Sequence, residues 1–232
     1  MSVAKKPLRL MIFDLDGTLV DSQETIVATM HETCDAVSLP RAEAAAIRRV
    51  VGLSLFEAMA RLFPGEPESL HRDMEETYRR VFLEKRSAKQ VLEPFFPGAL
   101  ETLHAADTSG WLLGLATGKA HRGVVSTLGP HGVLDRFITI QTADRALSKP
   151  NPDMIYKAMR DTGADPVQTV MVGDTTFDME MARSAGVSAI GVDWGYHETQ
   201  ELLDQGAQCV VTRFEEVLPA AERLLEETSC AR

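Results

Sequence analysis

An unbroken apolar run that ends in two aspartates constrains the fold of this chain more than any other feature. Residues 10–13 (LMIF) are all apolar, as a strand buried on both faces of a parallel sheet requires. Asp14 and Asp16 follow this run, and strand residues two positions apart point the same way. Gly17 then permits a tight turn. The pattern predicts two carboxylates that converge at the carboxyl end of a central strand, where open α/β sheets bind ligands.

Two further apolar runs end in polar residues in the same manner. Residues 111–116 and 169–172 form these runs, and between them a lysine stands directly before a proline and a helical pattern. The polar-end residues and this lysine are, in chain order, Thr117, Gly118, Lys149, Asp174 and Asp178. Three strand ends and one helix entrance therefore carry an acid pair, a hydroxyl, a lysine and a second acid pair.

The segment between the first and second apolar runs has a helical character. Residues 22–89 are rich in polar side chains and contain no convincing strand pattern. Beyond them helix and strand patterns alternate, which predicts βαβ crossovers and a parallel sheet. We therefore predict an α/β core at residues 1–19 and 97–232, interrupted by a helical insertion at residues 20–96.

The four polar motifs resemble those of the haloacid dehalogenase-like (HAD) hydrolase superfamily, and the resemblance covers essentially the whole chain. It implies a Rossmann-like parallel sheet flanked by helices. It also implies that the helical insertion is an α-helical cap domain of the C1 type, which closes over the active site. Residues 16–22, 52–54 and 191–196 look like the phosphoglycolate phosphatase-like branch of this superfamily.

The resemblance assigns catalytic roles to the strand-end residues. Asp14 would attack phosphorus to form an aspartyl-phosphate, and Asp16 would protonate the leaving oxygen and later deprotonate the hydrolytic water. Lys149 would balance the charge of the nucleophile and the phosphate. Thr117 would donate its hydroxyl to a phosphoryl oxygen beside the amide of Gly118. Many relatives carry asparagine where Gly118 stands, so in this chain no side chain at that position can orient the substrate.

The number of acidic residues predicts a metal ion. Asp14, Asp174 and Asp178 cannot share a pocket with a phosphate dianion without strong cations, and hard carboxylate oxygens favour Mg²⁺. By resemblance, the ligands are the Asp14 side chain, the Asp16 carbonyl and Asp174. Asp178, one helical turn beyond Asp174, would bind directly or through water. The residues expected to bind substrate are Gly17, Thr18, Thr117, Gly118, Lys149 and, from the cap, Arg49.

Charge and cysteine usage limit the partners and the compartment. The formal net charge of −10 at pH 7 argues against nucleic acid and an anionic membrane. A small phosphorylated metabolite is compatible, because local cations and a metal set the potential inside a cleft. Cys34, Cys209 and Cys230 are far apart and lack metal-ligand spacing, which is typical of reduced cysteines. Because two aspartates interrupt the first apolar stretch, it is too short for a signal peptide. We expect a cytoplasmic protein, either a monomer or a homodimer.

Several activities are compatible with these motifs. The branch resemblance favours hydrolysis of a small phosphate monoester, with 2-phosphoglycolate as the candidate substrate. A sugar-phosphate mutase of the β-phosphoglucomutase type would use the same Asp14 and Asp16. A dehalogenase is disfavoured, because such relatives usually lack an acid where Asp16 stands. A non-catalytic phosphate-binding interaction module is the alternative from another class, and such a module would have no evident need for Asp16.

Overall fold

The structure, a computed structural model, describes residues 8–230 of the 232-residue chain. Residues 1–7, which begin the predicted core, and the side chain of Cys230 lie outside the described part. Cys34 and Cys209 are free thiols, the first buried and the second partly buried. Within residues 8–230, every helix is too short or too polar to traverse a lipid bilayer.

A six-stranded sheet forms the centre of the molecule, and all of its neighbouring strands are parallel. The strands are β1 (Arg9–Phe13), β2 (Trp111–Thr117), β3 (Phe137–Thr142), β4 (Thr169–Gly173), β5 (Ser188–Val192) and β6 (Cys209–Val211). Their order across the sheet is β3-β2-β1-β4-β5-β6, so the direction of winding reverses between β1 and β4. Open α/β sheets bind ligands at such a reversal. The predicted α/β fold with a Rossmann-like parallel sheet is confirmed.

The first apolar run is buried on both faces of the sheet, as its composition predicts. Met11 and Phe13 pack into one hydrophobic cluster, whereas Leu10 and Ile12 pack into another on the opposite face. All four side chains are inaccessible to solvent. Alternation along one strand therefore joins the two cores and fixes the direction in which Asp14, the next residue, leaves the sheet.

Helices cover both faces of the sheet. Those that follow the helical insertion are α5 (Ala99–Thr108), α6 (His121–Leu128), α7 (Asp153–Thr162), α8 (Thr176–Ala185), α9 (Thr199–Gln205) and α10 (Val217–Cys230). Helices α5, α6 and α10 contribute to the cluster around Met11 and Phe13. Helices α7, α8 and α9 contribute to the cluster around Leu10 and Ile12. The layers are therefore helix, sheet and helix, which is the arrangement that βαβ crossovers produce.

Four helices occupy the segment between β1 and α5. They are α1 (Gln23–Ala36), α2 (Ala44–Arg48), α3 (Leu55–Leu62) and α4 (Glu68–Ser87). These helices share a hydrophobic cluster of their own, which includes Met30, Ile47, Met59 and Met74. The predicted segment is therefore helical, while its division from the core at residues 20 and 96 stays a prediction.

The chain leaves and re-enters the core at one place. Val20 and Phe95 form an antiparallel bridge. The Asp21 amide donates to the Pro94 carbonyl at 2.8 Å, and the Phe96 amide donates to the Leu19 carbonyl at 3.0 Å. The two connections to the helical insertion therefore run side by side.

Candidate active site

Three neighbouring strands deliver polar side chains to the same edge of the sheet. Asp14 follows β1, Thr117 ends β2 and Asp174 follows β4, and β1 lies between the other two strands. Lys149 reaches this edge from the loop that precedes α7, and Asp178 reaches it from the first turn of α8. The order of motifs in the sequence thus becomes one cluster in space at the winding reversal.

Three aspartates form a buried acidic cluster. Carboxylate oxygens of Asp14, Asp174 and Asp178 lie within 4.8 Å of one another, and all three residues are buried. Oδ2 of Asp14 is buried without a hydrogen-bond partner, which is unfavourable unless a cation or a ligand compensates it. An all-oxygen donor set with an unsatisfied carboxylate oxygen is what a hard divalent cation requires. This cluster could therefore hold a metal ion.

Lys149 places one positive charge inside the cluster. Its Nζ lies 2.8 Å from Oδ1 of Asp14 and 2.6 Å from Oδ1 of Asp178, and its side chain is fully buried. Burial alone would lower the pKa of Lys149, but the charges of Asp14 and Asp178 raise it above its ordinary value. The ammonium therefore stays protonated and holds the Asp14 carboxylate in one orientation.

Two residues of the acidic cluster, Asp14 and Asp174, resist ionisation in the metal-free protein. Burial raises the pKa of Asp14 to about 7; Lys149 opposes this shift, and the neighbouring carboxylates of Asp178 and Asp16 add to it. Burial, followed by the charges of Asp14 and Asp178, also raises the pKa of Asp174 well above its ordinary value. A divalent cation would counter both shifts, because a bound cation dominates the local charge.

Hydrogen bonds fix Asp174 and Asp178 in place. The Asp174 carboxylate accepts from the Thr18 hydroxyl at 2.7 Å and from the Tyr196 amide at 2.9 Å. Asp178 forms a capping box with Thr175, whose amide and hydroxyl donate to its Oδ2 at 3.1 and 2.7 Å. Asp178 therefore stabilises the first turn of α8 and, through its other oxygen, orients Lys149.

Asp16 lies outside the acidic cluster and pairs with a lysine to which the sequence assigns no role. Oδ1 of Asp16 lies 3.0 Å from Nζ of Lys119, which also lies 2.6 Å from Oε1 of Glu93. Glu93 in turn accepts from Arg86 at 2.5 Å and from the Thr127 hydroxyl at 2.6 Å. The only sequence signal for Lys119 is its position next to the Thr117–Gly118 motif, and Glu93 stands in the segment that returns to the core.

Thr117 is arranged to donate a hydrogen bond. It is 1% exposed, and its hydroxyl oxygen accepts from the Lys119 amide at 3.1 Å. A hydroxyl that accepts still carries its own proton. The Thr117 O–H is therefore available to an acceptor in the adjacent cavity.

Four of the six predicted substrate-binding residues fall into two groups. Thr117 and Gly118 line the cavity described below. Gly17 and Thr18 instead contact Asp174: Thr18 donates a hydrogen bond to its carboxylate, and Gly17 packs against it. A Cβ at Gly17, whose φ is +88°, would overlap the Asp174 carboxylate and the Tyr196 ring. The Trp194 indole donates to the Thr18 carbonyl at 3.1 Å. In the sequence, residues 191–196 indicate only a branch of the family. In the structure, they supply the Tyr196 amide and the aromatic rings that pack around Gly17, Thr18 and Asp174.

Arg49 is not brought to the cavity. Its guanidinium forms a two-pronged ion pair with Glu201 on α9, with N–O distances of 2.5 and 2.8 Å. The pair is partly exposed and connects the helical insertion to the core. Arg49 therefore holds these two parts together in this structure, and its expected contact with substrate stays a prediction.

A cavity of about 170 Å³ separates the helical insertion from the carboxyl edge of the sheet. Asp14, Asp16 and Thr117 form its inner end. Apolar side chains of the insertion form much of the remaining wall. A molecule in this cavity would contact the candidate nucleophile and the candidate acid together.

Comparison with known proteins agrees with this geometry. A family model described as haloacid dehalogenase-like hydrolase matches residues 11–192. "Probable phosphatase IndB" from Dickeya dadantii is 39% identical over 95% of this chain and 96% of its own length. "Phosphoglycolate phosphatase" from Agrobacterium fabrum is 30% identical over 99% of this chain and its full length.

A solved hydrolase structure has the same fold as this chain. The crystal structure of a hydrolase from Pseudomonas syringae superimposes with a TM-score of 0.82 at 26% identity, covering 94% of this chain and 99% of that one. The family match covers most of the chain and includes both carboxylate pairs. The chain therefore belongs to the haloacid dehalogenase-like hydrolase family, in the branch that includes proteins named phosphoglycolate phosphatase.

Proposed function

We propose that this protein is a Mg²⁺-dependent phosphatase that hydrolyses a small phosphate monoester through an aspartyl-phosphate on Asp14. The observation that carries the proposal is the state of Asp14. It is buried at the inner end of a cavity, has one carboxylate oxygen without a hydrogen-bond partner and lies 2.8 Å from the Lys149 ammonium. A carboxylate held in this way is poised to act as a nucleophile.

Two displacements at phosphorus complete the reaction. In the first, an oxygen of Asp14 bonds to phosphorus, the bond to the ester oxygen breaks, and Asp16 gives its proton to that oxygen. In the second, Asp16 removes a proton from water, which attacks phosphorus, and the bond to Asp14 breaks to release phosphate. Asp16 ends the cycle protonated, as it began.

The other residues provide charge and orientation. Lys149 offsets the negative charge of the nucleophile, and Thr117 offers its free O–H beside the Gly118 amide to a phosphoryl oxygen. Lys119 holds Asp16 on the cavity side of the cluster. Mg²⁺ bound by Asp14, Asp174, the Asp16 carbonyl and, directly or through water, Asp178 would supply the remaining positive charge that a phosphate dianion needs among these carboxylates.

The assignment of a substrate begins from the family. Resemblance alone suggests 2-phosphoglycolate, because a 30% identical relative is named "Phosphoglycolate phosphatase". We also propose that residues 20–96 act as a cap domain on the core of residues 1–19 and 97–232, closing over the substrate and excluding water. Cytoplasmic location, and the choice between a monomer and a homodimer, stay predictions from the sequence.

Phosphate release from a panel of monoesters with Mg²⁺ tests the proposal. The wild-type protein should release phosphate, and Asp14→Asn should lose turnover while it keeps the same circular-dichroism spectrum. Conversion of glucose 1-phosphate to glucose 6-phosphate with little phosphate release would instead favour a sugar-phosphate mutase. Phosphate binding without turnover of any ester would favour the non-catalytic module and contradict the proposal.

A further inference from the structure

We propose that the alcohol released by this phosphatase has an apolar body about the size of a phenyl ring, and is not a small carboxylate such as glycolate. The inference rests on the proposed function, because it concerns the group attached to the phosphate that Asp14 attacks. Its basis is the composition, the charge pairing and the volume of the cavity that continues outward from Asp14 and Asp16.

Most of the cavity wall beyond the catalytic residues is apolar. Helices α1, α2 and α4 and the turn before α3 all contribute to it. The side chains include Ile26, Met30, Ile47, Val50, Leu53 and Phe82. A leaving group in this space would exchange water for hydrocarbon, which favours an apolar group and disfavours a charged one.

The cations that line the cavity are already paired with acids. Lys119 contacts Asp16 and Glu93, Arg86 contacts Glu93, and Arg79 contacts Glu75. Arg122 is the one lining cation to which the described residues give no carboxylate partner, and it is exposed at the surface. Inside the cavity a glycolate carboxylate would therefore find the cations already paired, with the exposed Arg122 as the exception, and a buried carboxylate without a cation partner is strongly unfavourable.

The volume of the cavity suits a group of this size. About 170 Å³ is close to the ~150 Å³ of an engineered apolar cavity that binds benzene in another protein. The carbonyl groups of Gly52 and Leu53 lie directly against Gly118, and all three residues line this space. A phenyl or branched-alkyl group fits this space.

The test compares three esters whose leaving groups are all ordinary alcohols, so that leaving-group acidity differs little. They are benzyl phosphate, ethyl phosphate and 2-phosphoglycolate, assayed with Mg²⁺ on the wild-type protein. We expect kcat/KM for benzyl phosphate to exceed each of the other two at least about tenfold. Equal or greater kcat/KM for 2-phosphoglycolate or ethyl phosphate would overturn the inference and leave the phosphatase function standing. Failure to release phosphate from any ester would overturn the function itself.

A matched pair of variants on α1 locates the effect in the cavity. Ile26 and Val27 are adjacent and both partly buried, but only Ile26 lines the cavity. Ile26→Ala should lower kcat/KM for benzyl phosphate about fivefold and change it less than twofold for 2-phosphoglycolate. Val27→Ala should change neither. An equal loss for both esters in Ile26→Ala would contradict the apolar pocket, because it would indicate a general structural effect.

Discussion

At the scale of single residues, Asp14 must satisfy two opposing requirements. The proposed attack needs an ionised carboxylate, yet burial raises the pKa of Asp14 to about 7 in the metal-free protein. Lys149 offsets only part of the charge, because it pairs with two acids in a cluster of three. A bound divalent cation would stabilise the ionised form, so cation binding and the charge of the nucleophile are linked.

This linkage predicts how stability depends on pH. An unfolded aspartate titrates near 3.8, whereas folded Asp14 titrates near 7. Between these values the folded state holds the extra proton, so stability falls as the pH rises from about 4 to about 7. Asp14→Asn removes this loss. In the presence of a chelator it should raise Tm at pH 8 by about 3 °C or more, with a smaller gain at pH 5.

Thermal unfolding followed by circular dichroism at the two pH values measures the effect. Addition of Mg²⁺ at pH 8 should raise Tm of the wild-type protein and leave Asp14→Asn nearly unchanged, because a ligand stabilises only the state that binds it. Asp21→Asn, at an exposed aspartate, is the control. A lower Tm for Asp14→Asn at pH 8 without Mg²⁺ would show that the carboxylate stabilises the fold.

Lys119 gives Asp16 a different environment from that of Asp14. Burial alone would lower the pKa of Lys119, but Asp16 and Glu93 raise it above its ordinary value, so the ammonium stays charged. Asp14 and Asp16 are two residues apart, yet each has its own lysine. This separation keeps the Asp16 side chain out of the acidic cluster and in the wall of the cavity.

At the scale of elements, the turn before α3 and the end of β2 fit together at Gly118. A Cβ at this position would overlap the backbone carbonyls of Gly52 and Leu53. The Ser54 amide also donates to the Ser148 hydroxyl at 2.9 Å, next to Lys149. Glycine at position 118 therefore permits the helical insertion to approach the catalytic edge closely.

Gly118→Ala should displace this turn and leave the sheet intact. We expect kcat/KM to fall about tenfold or more, because small displacements of a closing element have large kinetic effects. Gly129→Ala is the matched control, since a Cβ there would meet nothing within 4 Å. Steady-state kinetics and Tm of both variants provide the measurement. Unchanged kinetics in Gly118→Ala would mean that the close approach has no catalytic importance.

At the scale of the whole molecule, Arg49 and Glu201 connect the helical insertion to the core far from the reacting atoms. Both side chains are more than a third exposed, so the pair contributes little, about 0–1 kcal/mol. We expect Arg49→Ala and Glu201→Ala to lower kcat/KM equally, by about two- to fivefold, and the double variant to lose no more than either.

A double-mutant cycle of kcat/KM measures this coupling. If Arg49 binds substrate, as the sequence suggests, Arg49→Ala alone would lose far more than Glu201→Ala. A loss of that kind would exclude a purely structural pair and return Arg49 to the binding site.

The sequence predicts the fold and the acidic cluster because both depend on local pattern. The run at residues 10–13 specifies a strand buried on both faces, and its end specifies where Asp14 points. The roles of Lys119 and Arg49 depend on contacts with Glu93 and Glu201, which are distant along the chain. No periodicity or spacing encodes such pairings, so the structure alone reveals them.

If residues 20–96 move as the proposed cap domain, the side-by-side connections at Val20 and Phe95 form a single hinge. A domain joined by two adjacent connections rotates about one axis. Glu93 lies next to this axis, and its carboxylate pairs with Lys119. An outward rotation about this hinge would therefore displace Glu93 from Lys119, the residue that pairs with Asp16. Opening of the active site would then be coupled to proton transfer by Asp16, which would be correctly positioned only in the closed state.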